Sequence, residues 1–369
     1  MLSRRAITRM QSIAIIVIII IAALGIGAYS MMPSPGPTTT TTAMTTETTV
    51  APPPAKKVAL IMPGSITDHG WDQEPYEGLM QAKADFGLDV GYTEEVMVTG
   101  TPADYDRILR DYVSKGFGFI ICHDFLCKDS VTAVAKDNPK VWFAYDGARF
   151  DPTIPNLIPY IPWGHEPAYI AGVFAALMSK TGTIGAYDGI PIHIEVACVE
   201  AFEMGAKAAN PNIKVLKNYI GVWHDPKKGH DLVVSMADAG ADIVYGVGDG
   251  INVGGIQGAK EKGIWFVGGT GDQRSMEPDT VIVSVSWGLG PIIYTLAKLY
   301  AQDKLAGQSY EFTMHTYIDG KRTGPDFLPW TDAMADKVPQ NVKDAVAKAT
   351  ADILDGTINV PLITVAPSS

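Results

Sequence analysis

A repeat of short apolar runs and helix-patterned segments constrains this chain more than anything else in it. Eight runs, at 58–62, 117–122, 141–145, 183–187, 214–219, 243–246, 264–267 and 281–285, are rich in β-branched and aromatic residues. Each has the length of a strand buried on both faces. Between them, segments such as 76–86, 102–115, 130–136, 195–209, 227–239 and 254–262 place apolar residues at helical spacing. A strand–helix unit repeated in this way predicts parallel sheet in an α/β fold. The pairs Lys115-Gly116, Ala239-Gly240 and Lys262-Gly263 fit left-handed helix ends that run directly into the next strand.

Length divides the repeat. Residues 56–369 are too many for one small core and predict two lobes. A Pro-rich interruption at 151–162 precedes an Ala- and Gly-rich helix at 166–179, and marks the first passage between lobes. Trp287-Gly288-Leu289-Gly290-Pro291 opens a helix at 292–303 and reads as the return, with a third crossing near 310–317. The expected division is 56–161 plus 286–310 for the first lobe and 162–285 plus 311–369 for the second. The second lobe ends in a helix at 342–354 and a strand at 358–362.

Ahead of the repeat, Arg4, Arg5 and Arg9 lead into an apolar block at 13–28, with no charge between Arg9 and Glu47. Roughly 20 uncharged residues behind a basic flank suit a membrane anchor that leaves the N-terminus in the cytoplasm. A cleaved secretory signal is the competing reading of residues 1–36. Residues 38–50 hold nine threonines and Pro52-Pro53-Pro54 follows, so 37–55 reads as an extended stalk of the kind that carries O-glycans. The globular part is therefore expected outside the cell, on a tether. A lipoprotein attachment would need a cysteine near residue 30, and the three cysteines are Cys122, Cys127 and Cys198.

Charge and cysteine usage exclude several classes. Without the three N-terminal arginines and Glu47, 26 basic and 39 acidic residues leave a formal charge of −13, which disfavours nucleic acid and anionic lipid. The cysteines lack metal-ligand spacing and are too few for a disulfide scaffold. Cys122 and Cys127 are either a short-loop pair or two buried thiols. No metal and no cofactor is expected.

In open parallel sheets ligands bind beyond the carboxyl ends of the strands, so the chemistry belongs in the loops there. The first such loop reads Ser65-Ile66-Thr67-Asp68-His69-Gly70-Trp71-Asp72-Gln73. A tryptophan among polar neighbours suits stacking on a flat ligand better than a core position. Asp68 and Asp72 suit amine or ring N–H donors, and Asp72 equally suits a helix cap. Trp223, in Gly221-Val222-Trp223-His224-Asp225-Pro226, stands at the mouth of a strand expected in the other lobe. Two tryptophans on facing lobes suit a sandwiched ring. Gly246-Val247-Gly248-Asp249-Gly250 has the glycines but not the spacing of a dinucleotide fingerprint, and suits close backbone approach to a small ligand. Gly268-Gly269-Thr270-Gly271-Asp272-Gln273 repeats that logic, with Thr270 and Asp272 as its polar groups. His123-Asp124 ends another strand, yet no nucleophile elbow accompanies it and Cys122 lies inside an apolar run. The residues line a pocket without composing a catalytic device.

These segments carry a resemblance. Thr67 to Gln73 with Tyr76-Glu77-Gly78-Leu79, Glu166 to Gly172, Asn218-Tyr219 through Asp225-Pro226, Gly240-Ala241-Asp242 and Val283-Ser284-Val285-Ser286-Trp287 together resemble the basic-membrane-protein family of extracytoplasmic solute receptors. The similarity spans about 56–320. It implies the type I periplasmic-binding-protein fold, two α/β lobes around a ligand cleft, and partnership with the permease of an ABC importer. It also implies purine recognition by stacking between two aromatics, with Trp71 and Trp223 in those places. The nucleoside-binding branch has Phe-Asn where this chain has Trp71-Asp72, often a lysine at Trp287 and an aspartate at Thr270. Loss of those sugar contacts makes the chain more similar to the adenine-associated branch, so a purine base is favoured and nucleosides stay open. Asp249 and Asp272 carry over as neighbours of the cleft. A sensory receptor of the same fold and an anchored nucleoside-processing enzyme are the alternatives; the acidic residues are too scattered for the enzyme's metal cluster.

Overall fold

The structure, a computed structural model, describes residues 55–147, 150–248, 250–318 and 320–366. The expected anchor and stalk lie outside the described residues, as do Asp249 and the last three residues. The first lobe runs β1 (Lys57–Ile61), α1 (Gln73–Phe86), β2 (Asp89–Thr93), α2 (Asp104–Ser114), β3 (Phe119–Cys122), α3 (Lys128–Asp137), β4 (Trp142–Asp146) and β5 (Leu157–Pro162). The second runs α4 (His165–Met178), β6 (Thr183–Asp188), α5 (His193–Ala209), β7 (Lys214–Tyr219), α6 (Pro226–Asp238), β8 (Ile243–Gly246), α7 (Gly250–Lys262), β9 (Trp265–Gly268) and β10 (Val281–Ser286). The chain then returns through α8 (Leu289–Ala301) to β11 (Tyr310–Phe312). It ends with the hairpin β12 (Tyr317–Ile318) and β13 (Lys321–Arg322), then β14 (Asp326–Leu328) and α9 (Gln340–Leu354).

Two six-stranded sheets result, ordered β11-β5-β4-β3-β1-β2 and β14-β10-β9-β8-β6-β7. Every pair is parallel except β10 with β14. All eight runs are strands; β3 and β8 are buried at every position, whereas β7, at a sheet edge, has no buried position and carries two lysines and an asparagine. Helices cover both sides of each sheet, giving two apolar layers per lobe.

Three helix pairs approach closely because glycines remove the intervening Cβ. Gly172 of α4 and Gly205 of α5 face each other's backbone: a Cβ on Gly172 would lie 1.9 Å from the Phe202 carbonyl oxygen, and one on Gly205 1.9 Å from that of Tyr169. Gly229 and Gly254 do the same for α6 and α7, and Gly78 admits Gly290 between α1 and α8.

Several expectations are corrected. The Pro-rich stretch is not only a linker, since its second half is β5. Its pairing with β4 ends at Tyr160 and its pairing with β11 begins there. Pro159 and Pro162 therefore fall where the ladder asks for no N–H. β2 escaped notice because its sequence, DVGYT, carries Asp and Gly on an edge strand. Gly91 is needed there, since a Cβ would reach the Phe117 and Tyr112 rings at 2.9 and 3.0 Å. Tyr310–Phe312 pairs in the first sheet, so the third crossing follows residue 312 instead of residue 310. The expected strand at 358–362 does not form: Gly356 turns the chain at φ 82°, Pro361 lacks a donor, and only Val360 is buried. Cys122, Cys127 and Cys198 are buried free thiols.

Candidate functional site

The strand-following loops of both lobes enclose a cavity of about 320 Å³. Trp71 reaches it from the loop after β1, Trp223 from the loop after β7, Thr270 from the loop after β9, and Trp287 from the crossing after β10. The lobes also meet at its rim, where a Cβ on Gly271 would lie 2.7 Å from the Gly70 Cα. Among the described residues no cationic Lys or Arg lines the cavity, whereas Asp124, Asp146, Asp188, Glu195 and Asp225 do.

Trp71 is held from behind. His123 stacks on it at 4.2 Å between centroids and 26° between planes, and its Nε2 lies 2.8 Å from the Trp71 carbonyl oxygen. Its Nδ1 contacts the Tyr160 hydroxyl. Trp287 meets Trp71 edge-on at 5.7 Å. Burial drives the His123 pKa down to about 3, so the ring is neutral at ordinary pH. His123 is a buttress behind Trp71 and does not line the cavity.

Asp68 and Asp72 are also drawn into the loop's own framework. Asp68 accepts from the backbone amides of Gly70 (2.9 Å), Gln73 (3.0 Å) and Asp72 (2.9 Å), which shapes the entry to α1. Asp72 is fully buried and accepts from the Gly64 amide at 3.1 Å; it makes no side-chain cap on α1. Thr270 does reach the cavity, but its Oγ1 accepts from the Gly248 amide at 3.2 Å and its carbonyl from the Trp287 amide at 3.0 Å. Its φ of 79° is a genuine outlier for a β-branched residue and stores strain at the site. Asp272 is tied to Arg274 by two contacts of 2.7 Å and is not among the lining residues.

Two buried carboxyls of the cavity, Asp146 and Asp188, stand outside the loops that the sequence singles out. Asp146 ends β4 and Asp188 ends β6, each after a tyrosine that closes an apolar run. An acidic residue at the carboxyl end of a parallel strand was the available signal. Burial, helped by Asp124, pushes Asp146 up to about 8, and burial raises Asp188 well above the carboxylate range against the pull of the Gly189 amide and the Trp223 indole. Asp124 is raised by burial too, although the Tyr105 hydroxyl and the Leu126 amide bond to it. The cavity is therefore acidic in composition but carries less negative charge at neutral pH than its residues suggest.

Comparison with known proteins identifies this arrangement. The profile of the ABC transporter substrate-binding protein PnrA-like (Bmp) family matches residues 55–319. The chain belongs to that family. The family is one of substrate-binding proteins of ABC transporters and not of enzymes, and solute-binding proteins of ABC importers are extracytoplasmic. The nucleoside-binding protein BmpA of Lactococcus lactis is 28% identical over 314 residues, covering 80% of this chain and 86% of that one. A purine-binding protein of Brucella abortus is 29% identical, covering 82% of each. The transcriptional activator protein Med of Bacillus subtilis is 28% identical, covering 71% of this chain and 80% of its own. An ABC solute-binding protein from Aeropyrum pernix superposes with a TM-score of 0.73 at 18% identity, over 83% of this chain and 94% of that one, which establishes the shared type I fold. Among the described residues no helix is long and apolar enough to cross a membrane, and no acidic, His or Cys cluster is arranged to hold a metal ion.

Glu74 links the lobes beside the site. From the first turn of α1 its Oε2 accepts from the Leu289 amide at 3.2 Å, and the Asp272 amide of the second lobe also bonds to it. The side chain keeps some exposed area, but its carboxyl is enclosed. Burial lifts its pKa to about 7 from 4.5, with Asp272 and Asp68 adding repulsion against those two amides. The folded-state value is raised, so folding takes up a proton between those limits. The stability this group contributes is full below pH 4.5 and is lost as pH rises through 7. Unfolding free energies at pH 5 and pH 8 should differ by about 2 kcal/mol less in Glu74→Gln than in wild type. An unchanged difference would remove Glu74 as the source.

Proposed function

We propose that this substrate-binding protein captures a purine base of the adenine type, or a purine nucleoside, between its two lobes and delivers it to the permease of an ABC importer. The N-terminal segment tethers it to the outer face of the cell membrane, with residues 37–55 as the stalk. The observation that carries the purine reading is that Trp71 and Trp223 line one cavity from opposite lobes. Aromatic stacking with a few directed hydrogen bonds supports micromolar capture or better. The nucleoside- and purine-binding relatives support the same ligand class.

The full chain, extracted in detergent, is to be titrated with adenine, adenosine, guanosine, ribose and a peptide mixture, followed by tryptophan fluorescence and calorimetric heat. Saturable purine binding is the expected result; binding of ribose or peptide alone, or turnover of adenosine, would overturn the reading. Residues 54–369 form a compact unit by themselves, so a chain beginning at Lys56 is expected to fold and bind with the same affinity. Permease subunits recovered with the tethered protein would separate import from sensing.

A further inference from the structure

The wall of the cavity contributed by the second lobe contains a buried carboxyl held by the Gly189 amide and by a contact with the Trp223 indole that falls outside ordinary hydrogen-bond geometry. Asp188 is fully buried at the end of β6; its Oδ1 accepts from the Gly189 amide, while its Oδ2 is buried without a hydrogen bond of ordinary geometry. The Trp223 indole lies beside it, packed so closely over Gly189 that a Cβ there would be 2.4 Å from the indole nitrogen. A buried oxygen left in this state costs free energy that a ligand donor recovers. Asp188 and Trp223 both line the cavity, side by side on the wall of the second lobe.

We propose that Asp188 is a specificity-determining residue of the cleft, accepting a hydrogen bond from the exocyclic amine of an amino-substituted heteroaromatic ligand. The proposal rests on the purine reading and narrows it to 6-aminopurines over 6-oxopurines. The supporting argument is a count of donors. Asp146, Asp188 and Glu195 present acceptor oxygens to one cavity, and no Lys or Arg among the described residues faces them. An aminopurine brings two amine N–H donors where an oxopurine brings a carbonyl oxygen, a further acceptor in a wall already rich in them.

The test crosses ligand deletion with side-chain deletion in the full chain. Adenine, 6-dimethylaminopurine, unsubstituted purine and hypoxanthine are titrated against wild type, Asp188→Ala, Asp188→Ser and Asp188→Asn, with a thermal melt of each. In wild type, replacing adenine by 6-dimethylaminopurine, purine or hypoxanthine is expected to weaken binding about tenfold, the scale of one buried hydrogen bond. Asp188→Ala and Asp188→Ser should bring the four ligands to within about threefold of one another; Asp188→Asn, which keeps an acceptor oxygen, should retain the preference. If Asp188→Ala fails to fold, the serine and asparagine variants carry the comparison. Purine binding whose amine preference survives in Asp188→Ala or Asp188→Ser would overturn the role of Asp188 and leave the purine reading standing. Absence of binding by all four bases in wild type would overturn this proposal, and failure of adenosine and guanosine to bind as well would overturn the purine reading itself.

Discussion

Replacing Trp223 by alanine should weaken capture of the cleft ligand by about 1–3 kcal/mol, up to roughly 150-fold, the worth of one base stacked on an aromatic side chain. Trp71→Ala should reach the upper end of that range. Its indole is the outer member of a packed stack, with His123 at 4.2 Å behind it and Trp287 edge-on at 5.7 Å, so alanine also removes the contact that joins the first lobe to the crossing after β10. Trp71→Ala should therefore lower the melting temperature as well. Trp71→Phe and Trp223→Phe keep a π face and should recover most of the affinity. Calorimetric titration of the four variants decides the matter, and full affinity in Trp223→Ala would remove stacking from the account of this site.

The second large effect concerns stability. Gly172→Ala or Gly205→Ala places a methyl group where the backbone of the partner helix already lies, 1.9 Å from a carbonyl oxygen in either case. A clash with backbone cannot be relieved by a rotamer change, so α4 and α5 must separate. Overpacking of this kind costs about 3 kcal/mol, against which the better helix propensity of alanine returns at most about 1 kcal/mol. The two substitutions force the same separation, so the double variant should lose less than the sum of the singles. Urea midpoints at unchanged m-value report the loss. A midpoint equal to wild type in either single variant would show that the helices can part without cost. Ligand affinity should fall too, because the loop from β6 and the first turn of α5 carry Ile190, Ile192 and Glu195 of the cavity wall.

The site was legible only in part, and the residues show why. Trp71 and Trp223 stand out because large aromatics in polar strand-following loops have few structural explanations, and both line the cavity. Asp68, Asp72 and His123 carry the same local signal and are consumed by their own surroundings: two bond to nearby backbone amides and one stacks beneath Trp71. Short polar side chains in tight loops can satisfy either backbone or ligand, and sequence spacing does not separate the two. Thr270 lines the cavity, yet its hydroxyl is already engaged by the Gly248 amide.

What the sequence determined by itself is most of the strand–helix units, though not β2 or β5, and their parallel pairing, because strands buried on both faces require uninterrupted apolar runs and helices require their own period. It likewise placed the ligand loops at the carboxyl ends of the strands. Only the tertiary structure decided which polar groups in those loops face the cavity. That choice depends on pairings between residues distant in the chain, such as Thr270 with Gly248, Glu74 with Leu289 and Asp188 with Trp223. It decided the structural use of β5 as well, whose prolines are tolerated only because the ladders on its two sides begin and end at Tyr160. Local pattern specifies elements through the period of burial, whereas long-range packing sets whether a given carboxyl is left with an oxygen to offer a ligand.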